Sequence, residues 1–168
     1  MNARQLSLTA IVAALYATGT IVLAPISFAL FQCRVADSLL ALSTILGWPV
    51  IIGTTVGCAI ANAYGGLGPV DVVGGSIANF AATAAGYYIY RLRFRGALIT
   101  ALLAEALVVS VIVGGYLAVL FQVPFEVGFI GVLLGSLVAI VGLGWLLIAI
   151  FAKRVQGLEA AGRSKGHN

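Results

Sequence analysis

Seven polar residues stand where an otherwise apolar chain could do chemistry: Gln32, Arg34, Asp37, Asn62, Asp71, Asn79 and Glu105. Three of them share the stretch FQCRVAD, which separates two apolar runs. A covalent mechanism needs a nucleophile within hydrogen-bond reach of a base, and no such pair stands out. His167 lies in a polar terminal stretch, and no cluster has metal-ligand spacing. Cys33 and Cys58 form no CxxC motif and read as small buried hydrophobes. A phosphate-binding loop needs a lysine after its glycines, and the glycines of YGGLGPVD have none nearby. No enzyme, cofactor or metal site is therefore expected. What remains is recognition chemistry, in which a guanidinium, carboxylates and amides hold a small polar molecule by charge and hydrogen bonds.

Composition sets the solvent in which these groups must be positioned. Only 8% of the residues are charged while 62% are hydrophobic, and the mean hydropathy is +1.14. A soluble domain carries about a quarter charged residues, so the chain belongs in a bilayer. The apolar runs lack strand alternation, which predicts an all-α polytopic membrane protein. Crossing a hydrocarbon core of about 30 Å takes about 20 helical residues. The runs place spans at Leu6–Ala24, Ser38–Leu46, Pro49–Tyr64, Val72–Tyr90, Ala97–Phe121 and Phe125–Phe151. Leu6–Ala24 has no usual cleavage site and reads as a retained helix. Ser38–Tyr64 would be one helix but for Gly47, Trp48 and Pro49, where proline removes a backbone hydrogen bond. The expectation is a bundle of six transmembrane helices over residues 1–152, followed by a short polar tail at 153–168.

Charge bias bears on orientation. Six spans with a cytoplasmic amino terminus put Arg4, the arginines of RLRFR, Lys153 and Arg154 inside and leave only Arg34 outside. With five spans and an external amino terminus, Arg4 and Arg34 trade places. Either topology puts RLRFR in the cytoplasm. The basic residues are scattered through short gaps, which is a topological pattern and not a nucleic-acid footprint. In the six-span topology the outer ends collect Gln32, Arg34, Asp37, Asn62 and Asp71, together with Phe28 and Phe31. The aromatics alone could form an interfacial belt, but charged and amide groups on the same face make a ligand site open to the outside.

Each signal also has a plainer reading. Asp37 and Asp71 precede apolar runs, where an acidic side chain caps a helix start. Arg34 in so apolar a loop should find a carboxylate, with Asp37 or Asp71 the candidates. Glu105 lies inside the fifth span, where a charge costs at least about 2.5 kcal/mol. It should face the bundle, either neutral and hydrogen-bonded or as the counter-charge of a cationic ligand. Asn62 and Asn79 could read a heterocycle edge or bond between helices. Small residues four apart recur on most spans and let helices pack closely. Those of the first helix, Ala10 with Ala14 and Ala13 with Ala17, could instead serve a partner protein.

The succession APISF, FQCRVADSL and GCAIANAYGGLGPVDVVGGSIAN, between Tyr16 and Tyr90, resembles the QueT family of queuosine-precursor transporters. That resemblance implies the substrate-binding component of an energy-coupling factor (ECF) transporter in the plasma membrane. It implies six helices, cytoplasmic termini, and a deazaguanine base taken from outside. The partners implied are a transmembrane coupling subunit and two ATPases. The family's polar motif maps onto Gln32, Arg34, Asp37, Asn62 and Asp71, followed by Gly75, and the alanines of the first helix would face the coupling subunit. An aminomethyl-deazaguanine offers a planar face for Phe28 or Phe31, polar edges for Gln32 or Asn62, and a cationic arm for Glu105 or Asp71. Arg34 would order the outer loop.

Overall fold

In the computed structural model, which describes residues 1–29 and 32–152, every regular element is helical. Helix α1 (Ala3–Val22) starts from a reciprocal cap. Asn2 Oδ1 accepts the Gln5 amide at 2.9 Å, and Gln5 Oε1 accepts the Asn2 amide at 3.1 Å. A single turn, α2 (Ala24–Ser27), leads into the connector that carries Phe28, Gln32 and Arg34. The chain then winds as a 3₁₀ helix over Val35–Leu42 and continues as α3 (Ser43–Leu46). Gly47, at φ 68°, breaks the path before α4 (Trp48–Gly65). The break expected at Gly47–Pro49 is present, and Pro49 helps to open α4 because the first helical turn needs no amide there. Gly66 and Gly68, at φ 73° and 102°, turn the chain into α5 (Pro69–Arg91). Next come α6 (Ala97–Leu120) and α7 (Phe125–Ser136), which widens into a π-helical stretch over Leu137–Gly144 and runs on to Ala152.

Short turns make successive helices antiparallel neighbours. The packing runs α1 against α4, α4 against α5, α5 against α6 and α6 against α7, while the 3₁₀ segment lies along the π stretch. Glycines permit the close approaches. A Cβ on Gly57 would lie 2.7 Å from Ala13 O, one on Gly114 2.7 Å from Phe129 Cα, and one on Gly144 2.6 Å from Ala41 Cβ. Three helices, Ala3–Val22, Ala97–Leu120 and Phe125–Ala152, are long and apolar enough to cross a membrane. The chain is an all-α membrane protein.

The observed bounds differ from expectation in two informative places. The second segment begins at Val35 rather than Ser38 and winds mostly as 3₁₀. At about 2.0 Å per 3₁₀ residue and 1.5 Å per α residue, Val35–Leu46 is about 22 Å long. Helix α5 begins three residues before the expected Val72, because Pro69 suits a helix start. The expected polar tail at 153–168 lies outside the described residues. The alternation of direction gathers the carboxyl ends of α1, α4 and α6, the amino ends of α5 and α7, and the connector at one end of the bundle.

Candidate functional site

That end holds Arg34, whose side chain is only 4% exposed. Its Nε donates to the Ser27 carbonyl at 3.0 Å, which ties the connector back onto α2. One face of the guanidinium lies over the Phe28 ring, 5.3 Å from its centroid. Nη1 approaches Cys58 Sγ on α4 at 3.8 Å, and Nη2 stands 3.8 Å from Asp71 Oδ1 on α5. The last distance is that of an ion pair without a hydrogen bond. Arg34 thus finds a carboxylate, but one it does not saturate.

Asp71 is fully buried in the first turn of α5. Its Oδ1 accepts the Tyr116 hydroxyl of α6 at 2.7 Å, and its main-chain carbonyl accepts Asn62 Nδ2 of α4 at 2.7 Å. Three helices are therefore pinned to one residue. Neither Asp37 nor Asp71 makes a side-chain cap. Asp37 accepts a hydrogen bond from Tyr16 on α1, and both side chains are buried. Gly75 makes room for this arrangement, since a Cβ there would collide with Asn62 Nδ2 and lie 3.4 Å from the Tyr116 hydroxyl. Gly65 does the same for the Phe28 ring.

Buried polar atoms nearly always find a partner. Here Ser27 Oγ, Arg34 Nη2, Asn62 Oδ1 and Asp71 Oδ2 have none among the described residues, and all four residues belong to the bonded group around Arg34 and Asp71. Two further buried atoms, Gln32 Oε1 on the connector and Glu105 Oε2 on another part of α6, are also unpaired among the described residues. Around Arg34 and Asp71, one donor, one hydroxyl and two acceptors are thus held out of water with hydrogen-bonding capacity unused. Such an arrangement can take a compact polar ligand that carries both N–H groups and a carbonyl.

A model of the family described as QueT transporter matches residues 6–153. The chain belongs to the QueT transporter family. The match runs past Tyr90, where the motif resemblance stops, and takes in α6 and α7. No curated protein and no solved structure matches the chain. This QueT family member is a transporter protein of the membrane.

The remaining expected site residues fall elsewhere. Glu105 is fully buried on α6 but accepts from Ser43 Oγ at 2.8 Å and packs on Gly86, so it sits with α3 and the far half of α5. Eleven residues separate it from Tyr116 on one helix, about 16 Å at 1.5 Å per residue. Asn79 donates to the Thr54 carbonyl at 3.3 Å, bonding α5 to α4 about 12 Å along the helix from Asp71. Gln32 is held by its main chain against Gly135 of α7. Phe31 lies outside the described residues. Of the α1 alanines, Ala13 and Ala17 are buried in the bundle, with Ala13 packed on α4, while Ala10 and Ala14 face outward. Sequence reasoning passed over Tyr16, Tyr116 and the contact of Cys58 with Arg34. The available signal was that a tyrosine hydroxyl within an apolar helix must find a partner, and acids are scarce here.

Proposed function

We propose that the chain is the substrate-binding component of an ECF transporter that takes up an aminomethyl-deazaguanine precursor of queuosine. In this reading six segments cross the membrane, both termini are cytoplasmic, and the end bearing Arg34 and Asp71 faces outside. Arg4 and the arginines at 91, 93 and 95 gather at the opposite end, as the positive-inside rule requires. The base stacks beside Phe28, its carbonyl accepts from Arg34 Nη2, and its ring N–H and amino groups donate to Asn62 Oδ1. The cationic arm takes Asp71 Oδ2. Glu105, on another part of α6, has no role in binding. Energy comes from a coupling subunit and two ATPases, since the chain carries no nucleotide-binding loop of its own.

The observation that carries this reading is the set of unpaired buried atoms around Arg34 and Asp71. Uptake of labelled precursor base by cells expressing the chain with and without the coupling module tests it. The reading expects saturable uptake that needs both. Uptake indifferent to the module would reject the ECF mechanism, and uptake of an unrelated vitamin in place of the base would reject the substrate.

A further inference from the structure

The other end of the bundle carries a second polar feature, unrelated to the substrate cluster. A cavity of about 860 Å³ opens between the end of α5 and the start of α6, lined by Tyr87, Tyr90, Arg91, Arg93 and Phe94 and by the first turn of α6. That volume is within the range of small-molecule sites, roughly 300–1,000 Å³. Arg91 is presented by its neighbour. Its Nη1 donates to the Tyr87 hydroxyl at 2.6 Å, and its guanidinium lies 5.3 Å over the Tyr87 ring. Arg93 turns back at φ 55°, in the left-handed region, and Gly96 follows at φ 93°.

Among the described residues no carboxylate pairs with these arginines. No Asp or Glu occurs between residues 72 and 104, and the next in sequence, Glu105, is fully buried inside the bundle, where its Oε1 accepts from Ser43. The first turn of α6 has no acidic residue and no side-chain cap. The apolar residues between the arginines point to the kind of anion. Leu92 is 71% exposed and Phe94 45% exposed, so the sequence RLRFR offers charge and grease alternately. A soluble phosphate has no use for the grease, whereas a lipid supplies both a phosphate and an acyl boundary.

We propose that this cavity binds the headgroup of an anionic phospholipid, with Arg91 and Arg93 on the phosphate and Leu92 and Phe94 in the acyl boundary. The full chain, purified in a neutral detergent, is titrated with dioleoylphosphatidylglycerol, with dioleoylphosphatidylcholine and with inorganic phosphate, and bound lipid is counted by native mass spectrometry. One guanidinium near an anionic surface is worth roughly a factor of five, and two together about thirtyfold. Phosphatidylglycerol should therefore bind about thirtyfold more tightly than phosphatidylcholine. Arg91→Gln with Arg93→Gln should abolish the difference, and Arg91→Lys with Arg93→Lys should keep most of it. Inorganic phosphate should not displace the lipid. Equal affinity for the two lipids, or a preference that survives the double glutamine variant, overturns the proposal. Displacement by phosphate would make the cavity a soluble-anion site instead. A double variant that keeps its lipid preference but no longer co-purifies with the coupling subunit would make the face a protein contact. Precursor binding by the same variants checks that they are folded.

Discussion

The ion pair at the centre of the cluster can be weighed by a double-mutant cycle. Arg34 Nη2 and Asp71 Oδ1 stand 3.8 Å apart, and both side chains are buried. At an effective dielectric constant of about 20, charges at that distance attract by about 4 kcal/mol. Removing one partner leaves an uncompensated buried charge, which costs about 3–5 kcal/mol. Asp71→Asn preserves shape and can still accept from Tyr116, so the lower figure applies, about 3 kcal/mol. Arg34→Gln strands Asp71, which keeps only its Tyr116 bond, and should cost about the same. Combining the two removes both charges and should cost well under the sum, with a coupling of about 2–3 kcal/mol, the upper part of the range for contacting residues. Unfolding in mixed micelles, followed by circular dichroism over an SDS titration, measures all three variants. Additive losses within about 0.5 kcal/mol would mean that the two charges do not interact and that the cluster is not organised around them.

Other predictions follow from single contacts. Gly75→Ala puts a methyl group into Asn62 Nδ2 and should weaken precursor binding at least tenfold while the helix content in circular dichroism is retained. Ala13→Leu should destabilise the bundle by about 1–3 kcal/mol through overpacking against α4. Ala14→Leu, on the outward face of α1, should leave stability and ligand binding intact but reduce co-purification of the coupling subunit. In a Cys58→Ala background, an impermeant maleimide should label the half-buried Cys33 from the outer face only, and added precursor should slow the reaction.

Much of the architecture was legible because charge is so scarce. Apolar runs between isolated polar residues give the helices, and Gly47 with Pro49 gives the break in the second run. Arg34 could be narrowed to Asp37 or Asp71 because a buried guanidinium needs a carboxylate and few exist, and the structure puts it beside Asp71. The windings of Val35–Leu42 and Leu137–Gly144 were not legible. The two stretches lie against each other, with Gly144 packed on Ala41 and Ser38, a contact about a hundred residues apart in sequence that no local pattern shows. Tyr16 and Tyr116 were hidden by type, since tyrosine in an apolar helix reads as bulk until its hydroxyl is followed to a partner. Glu105 was open between two readings, a hydrogen-bonded buried group and a counter-charge, and the structure gives it the Ser43 bond. Its depth made it a candidate counter-charge, yet depth says nothing about which end of the bundle it serves. Counting residues along α6 puts it near the arginine-bearing end, about 16 Å from Tyr116.

Isothermal titration of the aminomethyl-deazaguanine into the purified chain tests the central claim most directly. A charge-assisted hydrogen bond is worth about 1.5–3 kcal/mol, or roughly 10- to 150-fold in affinity. One saturable site is expected, weakened by about that factor in Asp71→Asn and unchanged in Glu105→Gln. A wild-type chain that binds no base, or a loss of binding in Glu105→Gln with Asp71→Asn unaffected, would contradict it.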